Sequence, residues 1–148
     1  MSESSFTASG IIHFTEELED ATASFYEKLA AMFSGQKDVF DGYGRESRKN
    51  KILIVRTYQE TITDALEACY CFEGLNLNDY APAAALPEHA GLADAAKVAI
   101  ALEEQAVRFY LDVAQRSQVL LATIPRAFRK VADVRSRRKG ALQSLLAR

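Results

Sequence analysis

The sequence predicts an all-α four-helix bundle with one long crossover between its second and third helices. Four stretches carry apolar residues at steps of three and four, which is the periodicity of an amphipathic helix. Their connections are short, long and short, an order typical of a bundle with a single crossover. The chain has 148 residues, 49% of them hydrophobic, so we predict one domain over residues 1–148.

The first two helices are predicted as a pair joined by a short turn. The first helix covers residues 9–33, and Ser34 and Gly35 end it. Its apolar stripe consists of Ile11, Phe14, Leu18, Ala21, Phe25, Leu29 and Met32. A second stripe of the same period predicts a helix over residues 39–72.

The second half of the chain predicts another helix pair. Residues 73–91 are rich in glycine, asparagine and proline, so we predict the crossover there. The third helix is predicted over residues 92–117, with a stripe that repeats that of the first helix. Thr123 and Pro125 mark the start of the fourth helix, because proline is tolerated in the first helical turn. The fourth helix carries Phe128, Val131, Leu142 and Leu145 on its apolar side.

One pattern, Glu-x5-Phe-Tyr-x3-Ala, occurs in both the first and the third helix. The first copy consists of Glu19, Phe25, Tyr26 and Ala30, and the second of Glu103, Phe109, Tyr110 and Ala114. The copies are 84 residues apart (103 minus 19). The alignment of the two halves extends to the second helix of each pair if four extra residues are allowed in the second half. It then matches residues 40–54 with 128–142. The repeat therefore predicts a duplicated helix pair whose glutamates face inward.

The repeat, the crossover and the order of elements resemble a rubrerythrin-type member of the ferritin-like superfamily over nearly the whole chain. Bundles of this kind bind two irons through one glutamate from each of two helices and a Glu-x-x-His pair from each of the others. Glu19 and Glu103 match the single glutamates. The resemblance therefore implies iron, or another divalent metal, at these two residues.

The other half of that site is missing. The repeat alignment places Ser47 and Asn50 in the second helix, and Arg135 and Arg138 in the fourth, where the family has its Glu-x-x-His pairs. Neither helix contains a histidine. Both arginines fall on the apolar stripe, and a buried guanidinium is costly unless it is paired. We therefore predict that they pair with the two repeat glutamates, in a polar layer that replaces the metal site.

The polar layer includes a tyrosine from each repeat, Tyr26 and Tyr110, which lies one or two turns from the glutamates. These tyrosines could bond to the glutamates or take part in redox chemistry, but packing in the core with a satisfied hydroxyl is favoured. An exposed position at the helix edge is the alternative for Glu19, and for Glu103 to a lesser degree because its neighbours are apolar.

A net charge of -2 conceals a segregation of charge between helices. Acidic residues concentrate in the first helix and basic residues in the second and fourth, so we expect charges to pair across the bundle. The alternative is a basic face that binds nucleic acid or another polyanion. The net charge and the lack of aromatic residues in the basic run argue against a nucleic-acid partner.

Three functions remain open at this point. The favoured one is a non-catalytic interaction or accessory protein that has a degenerate di-iron site and no cofactor. The second is a metal-binding redox protein, an oxidase, a peroxidase or an iron-handling protein, with one ion held by Glu19 and Glu103. The third is a bundle whose arginines bind a small carboxylate or phosphate.

The family resemblance implies dimers, and the sequence offers spare apolar surface for them. The residues concerned are Ile52, Val55, Leu66, Leu120 and Leu121. We therefore predict a homodimer through helix faces and a further protein partner. The N-terminus lacks the features of a signal peptide, and no apolar run approaches the roughly 18 residues that span a bilayer. We expect a cytoplasmic protein that does not enter the membrane.

Overall fold

The fold is a four-helix bundle, as the sequence predicts. The computed structural model describes residues 5–61, 71–73, 77–81, 85–87, 89–116 and 123–147. Its helices are α1 (Ala8–Met32), α2 (Lys37–Thr61), α3 (Leu92–Arg116) and α4 (Thr123–Leu146). The connection between α2 and α3 is the long one, which confirms the predicted crossover. No helix in the described part of the chain combines the length and the apolar character needed to cross a membrane.

The four helices are arranged as two hairpins. α1 packs mainly against α2, and α3 mainly against α4, while α2 also contacts α4. A short 3₁₀ helix, Ser34–Gln36, forms the turn between α1 and α2. Such a short connection forces the two helices to run antiparallel. The predicted start of the fourth helix at Thr123 is confirmed.

The prediction for the end of the second helix was wrong. α2 ends at Thr61, and Cys71–Glu73 forms a strand, β2, that pairs antiparallel with the strand β1, Ser5–Thr7. The backbone of residues 71–73 pairs with that of residues 5–7, which bonds part of its N–H and C=O groups without a helix. Residues 62–70, the rest of the predicted extension, lie outside the described residues.

A second 3₁₀ helix, Leu77–Tyr80, lies within the crossover and contacts α3. The Tyr80 hydroxyl donates a hydrogen bond to Asp112 Oδ2 at 2.6 Å, and Gln105 Nε2 donates to the Asp79 carbonyl at 2.7 Å. This part of the crossover was predicted as loop. It therefore has a defined place on the bundle.

The core consists of two apolar clusters, one toward each end of the bundle. The first cluster includes Ile11, Leu18, Ile54, Phe109, Val113, Phe128 and Val131. The second includes Phe25, Leu29, Phe40, Ala99, Leu102 and Leu142. Each fully buried Leu, Ile or Phe contributes roughly 1.5–3 kcal/mol through the hydrophobic effect. Along each helix, buried polar residues lie between the stretches that belong to the two clusters. A polar layer therefore crosses the middle of the core.

The apolar stripe predicted for the first helix is not buried at its last residue. Met32, the last residue of α1, is 42% exposed although it follows the helical period. The 3₁₀ turn Ser34–Gln36 begins two residues later, so Met32 lies at the end of the hairpin.

Candidate functional site

The candidate site is the polar layer at the centre of the bundle, and all four helices contribute to it. The eight residues predicted for the layer are buried, with exposed fractions of 0% to 5%. They are Glu19 and Tyr26 on α1, Ser47 and Asn50 on α2, Glu103 and Tyr110 on α3, and Arg135 and Arg138 on α4. The alternative in which the glutamates are exposed at the helix edge is therefore wrong.

Arg135 lies between the two repeat glutamates and binds both. Its Nε donates to Glu103 Oε1 at 2.6 Å, and its Nη1 donates to Glu19 Oε2 at 2.6 Å. Its Nη2 donates to Thr22 Oγ1 at 3.0 Å. The side chains of Arg135 and both glutamates are 0% exposed. The predicted pairing of Arg135 with both glutamates is confirmed.

Arg138 binds the outer side of the same layer. Its Nη1 donates to Glu103 Oε2 at 3.2 Å and to Ser47 Oγ at 3.0 Å. Its Nη2 donates to Glu46 Oε1 at 2.7 Å, and its Nε donates to the same oxygen at 3.2 Å. The guanidinium carbon lies 5.3 Å from the centroid of the Tyr43 ring, within cation–π range. Arg138 therefore links the buried layer to the half-buried Glu46 at the α2 surface.

The two repeat tyrosines reach across the bundle in opposite directions. The Tyr26 hydroxyl of α1 donates to Glu103 Oε2 on α3, and the Tyr110 hydroxyl of α3 donates to Glu19 Oε2 on α1. The tyrosine of each repeat therefore donates a hydrogen bond to the glutamate of the other repeat. This exchange is what an approximate two-fold relation between the hairpins would produce, and it gives both hydroxyls a partner inside the core.

The protonation of the layer follows from burial and from the pairing. Burial alone would raise the pKa of Glu103, but the charges of Arg135 and Arg138 outweigh burial and hold it below the ordinary value. Burial and the neighbouring carboxylates raise the pKa of Tyr26 and Tyr110 well above the ordinary value. Both tyrosines are therefore neutral hydrogen-bond donors at neutral pH, and Glu103 is ionised.

The residues present do not fit a di-iron centre. A guanidinium nitrogen lies 2.6 Å from a carboxylate oxygen of each repeat glutamate, Glu19 and Glu103. The positions that would supply Glu-x-x-His pairs carry serine, asparagine and two arginines. Within the described residues, no three His, Cys, Asp or Glu side chains form a group that could hold a metal ion. Arginine thus occupies the centre of the layer.

Two residues of the layer were missed by the sequence analysis. Thr22 lies three positions after Glu19, so its place on the same helix face was a signal that could have been used. Its hydroxyl also donates to the Leu18 carbonyl at 2.7 Å, which fixes its orientation. No sequence pattern pointed to Glu46. It accepts hydrogen bonds from Arg138 because that side chain extends from α4 to the surface of α2.

Surface charges pair between helices of the same hairpin, as the segregation of charge predicts. Lys51 Nζ lies 3.0 Å from an Asp20 carboxylate oxygen, and Arg48 Nη2 lies 2.9 Å from Glu27 Oε2. In the other hairpin, Lys139 on α4 lies 3.2 Å from a carboxylate oxygen of Glu104 on α3. These pairs are partly exposed, so each contributes at most about 1 kcal/mol.

Comparisons with known proteins give no independent evidence on what this layer does. No protein-family model matches the chain, and no match was found among curated proteins or among solved structures. The likeness to rubrerythrin-type proteins stays a prediction from the sequence.

Proposed function

We propose that this chain is a metal-independent, ferritin-like bundle that acts as a non-catalytic interaction or accessory protein. The observation that carries the proposal is the position of Arg135, which donates to both Glu19 and Glu103 at 2.6 Å. In a rubrerythrin-like site, these carboxylates would balance the charge of two irons. Here the guanidinium groups of Arg135 and Arg138 balance it, which gives two buried cations against two buried carboxylates.

The metal-binding redox function is less compatible with this arrangement. A divalent ion held by Glu19 and Glu103 would lie close to the guanidinium of Arg135. Even two unit charges about 4 Å apart repel by about 4 kcal/mol at an effective dielectric constant of about 20. Metal binding would therefore require Arg135 to leave both carboxylates and to find other partners for its buried charge.

The small-anion function needs arginine donors that are free to bind a ligand. The three nitrogens of Arg135 donate to Glu103, Glu19 and Thr22. The three nitrogens of Arg138 likewise have partners in the protein. An anion at either guanidinium group would lie beside a carboxylate that the group already binds, and the two like charges would repel. We therefore rank this function below an interaction protein.

The surface offers two regions for a partner. Ile52 is 54% exposed and, with the half-buried Val55, lines a groove of about 270 Å³ on the α2 side of the bundle. Leu66, Leu120 and Leu121, the other apolar residues predicted for the dimer, lie outside the described residues. On α4, four basic side chains are exposed: Arg126, Arg129, Lys130 and Arg137. We propose the first region for a homodimer and the second for an acidic protein partner.

Catalysis is tested by adding ferrous iron anaerobically and then measuring ferroxidase and peroxidase rates. The matched control is a Glu19→Ala/Glu103→Ala double variant. We expect the two proteins to show the same background rate, since the carboxylates are held by Arg135. A wild-type rate well above that of the variant would overturn the non-catalytic proposal and favour the redox function.

The homodimer is tested by analytical ultracentrifugation of the wild type and of an Ile52→Glu variant. A Leu111→Glu variant is the control, because Leu111 is 47% exposed on α3, away from the groove. We expect a wild-type dimer that only the Ile52 substitution dissociates. A wild-type monomer, or equal effects of both substitutions, would contradict the proposed interface.

A further inference from the structure

Two buried polar atoms in the central layer have no hydrogen-bond partner among the described residues. They are Glu19 Oε1, an acceptor, and Asn50 Nδ2, a donor. The exposed fraction is 0% for Glu19 and 5% for Asn50. The large majority of buried side-chain polar atoms in folded proteins have a partner, so these two atoms call for an explanation.

Glu19 and Asn50 are the sequence neighbours of two residues that join α1 to α2. Asp20 and Lys51, which follow Glu19 and Asn50 directly in sequence, form an ion pair in which Lys51 Nζ is 3.0 Å from both carboxylate oxygens. Asp20 and Lys51 are partly exposed, whereas Glu19 and Asn50 are buried. Glu19 and Asn50 therefore face the interior of the bundle beside this ion pair.

The other hairpin shows how the equivalent positions are joined. The repeat alignment relates Glu19 to Glu103 (19 plus 84) and Asn50 to Arg138 (50 plus 88). In the α3–α4 hairpin, Arg138 Nη1 donates directly to Glu103 Oε2 at 3.2 Å. The asparagine side chain is several bonds shorter than that of arginine. In the same relative position the asparagine makes no direct bond to the glutamate, since both Glu19 Oε1 and Asn50 Nδ2 are without a hydrogen-bond partner.

We propose that a single water molecule binds between Glu19 Oε1 and Asn50 Nδ2. Water can donate to the carboxylate and accept from the amide at once, which the two unpaired atoms require. A metal ion or an ammonium ion could bind the carboxylate but cannot accept the amide N–H. An anion could accept the amide N–H but would be repelled by the carboxylate. The water completes in α1–α2 the link that Arg138 makes in α3–α4.

The test is a crystal structure of the wild-type protein at a resolution that shows ordered water, with Asn50→Leu and Ser47→Ala variants beside it. We expect one water within about 3.2 Å of both Glu19 Oε1 and Asn50 Nδ2. The same water should remain in Ser47→Ala, because Ser47 bonds to Arg138, and should be lost in Asn50→Leu.

Two crystallographic results would overturn the proposal. One is a direct hydrogen bond between Asn50 and Glu19, and the other is wild-type density without a water that contacts both atoms. An independent measurement in solution is the nuclear Overhauser effect between the Asn50 side-chain amide protons and water. We expect a cross-peak in the wild type and in Ser47→Ala, and its absence from both would also contradict the proposal.

Discussion

The α1–α2 and α3–α4 hairpins place equivalent glutamates and tyrosines at the centre of the bundle but complete the polar layer differently. In α1 and α3 the contributions are symmetric, since the tyrosine of each repeat donates to the glutamate of the other. In α2 and α4 they are not. The α2 positions carry Ser47 and Asn50, whereas the equivalent α4 positions carry Arg135 and Arg138.

This difference shows that the cations of one hairpin serve both. Arg135 comes from α4, yet it binds Glu19 on α1 as well as Glu103 on α3. The hairpins are therefore joined by charge as well as by apolar packing. The two arginines place positive charge beside both buried carboxylates.

The largest effect is expected from Arg135→Met. The substitution leaves two buried carboxylates without their shared cation, and breaking a buried ion pair typically costs about 3–5 kcal/mol of the free energy of unfolding. Urea unfolding at neutral pH measures this cost. Arg137→Met, an exposed neighbour on α4, is the control and should change stability by about 0.5 kcal/mol or less. A cost for Arg135→Met similar to that of the control would show that the layer is not held by this charge.

The second comparison is between Glu103→Gln and Glu19→Gln. Glu103 accepts hydrogen bonds from both arginines and from Tyr26, while Glu19 accepts them from Arg135 and Tyr110. A hydrogen bond to a charged group contributes about 1.5–3 kcal/mol, so Glu103→Gln should cost more by about that amount. The same urea titration measures both variants. Equal costs would mean that the second arginine adds nothing to the α3–α4 half.

The tyrosines test the symmetric part of the layer. Tyr26→Phe and Tyr110→Phe each remove one hydroxyl that donates to a buried carboxylate, so each should lower the free energy of unfolding by about 1–2 kcal/mol. The two losses should agree within about 0.5 kcal/mol. Tyr43→Phe, which keeps the ring beside Arg138, serves as the control. Strongly unequal losses would argue against an equivalent role for the two repeats.

The smallest effect is expected from pH. The two arginines hold the pKa of Glu103 below its ordinary value of 4.5, so the unfolded chain takes up a proton at this residue before the folded chain does. The stabilisation is complete above pH 4.5 and is lost as the pH falls through the lowered pKa of the folded state. Urea unfolding between pH 7 and pH 3 should therefore show a shallower acid loss for Glu103→Gln than for the wild type. Parallel curves would contradict this assignment.

Much of the polar layer could be predicted from the sequence, because duplication gave an internal alignment. The alignment placed Ser47, Asn50, Arg135 and Arg138 opposite the repeat glutamates, and the cost of burying an unpaired guanidinium predicted the ion pairs. The additional partner of Arg138, Glu46, was not predictable in this way. It depends on side-chain reach between helices, which let Arg138 bind Glu46 as well as Glu103.

The strand pairing was missed for a different reason. Cys71–Glu73 follows α2 with apolar residues that fit the helical period, so the pattern gave no sign that the helix had ended. What decides its structure is pairing with Ser5–Thr7, which lies far away in sequence. Periodicity within one segment carries no information on such a partner.

Iron retention tests the central claim most directly, namely that arginine has replaced metal between Glu19 and Glu103. The protein is loaded anaerobically with ferrous iron, desalted and analysed for iron per chain, beside a Glu19→Ala/Glu103→Ala variant. We predict no stoichiometric iron in either protein, because Arg135 already binds both carboxylates. Retention of one or two irons per wild-type chain, lost in the variant, would contradict the account and restore the redox function.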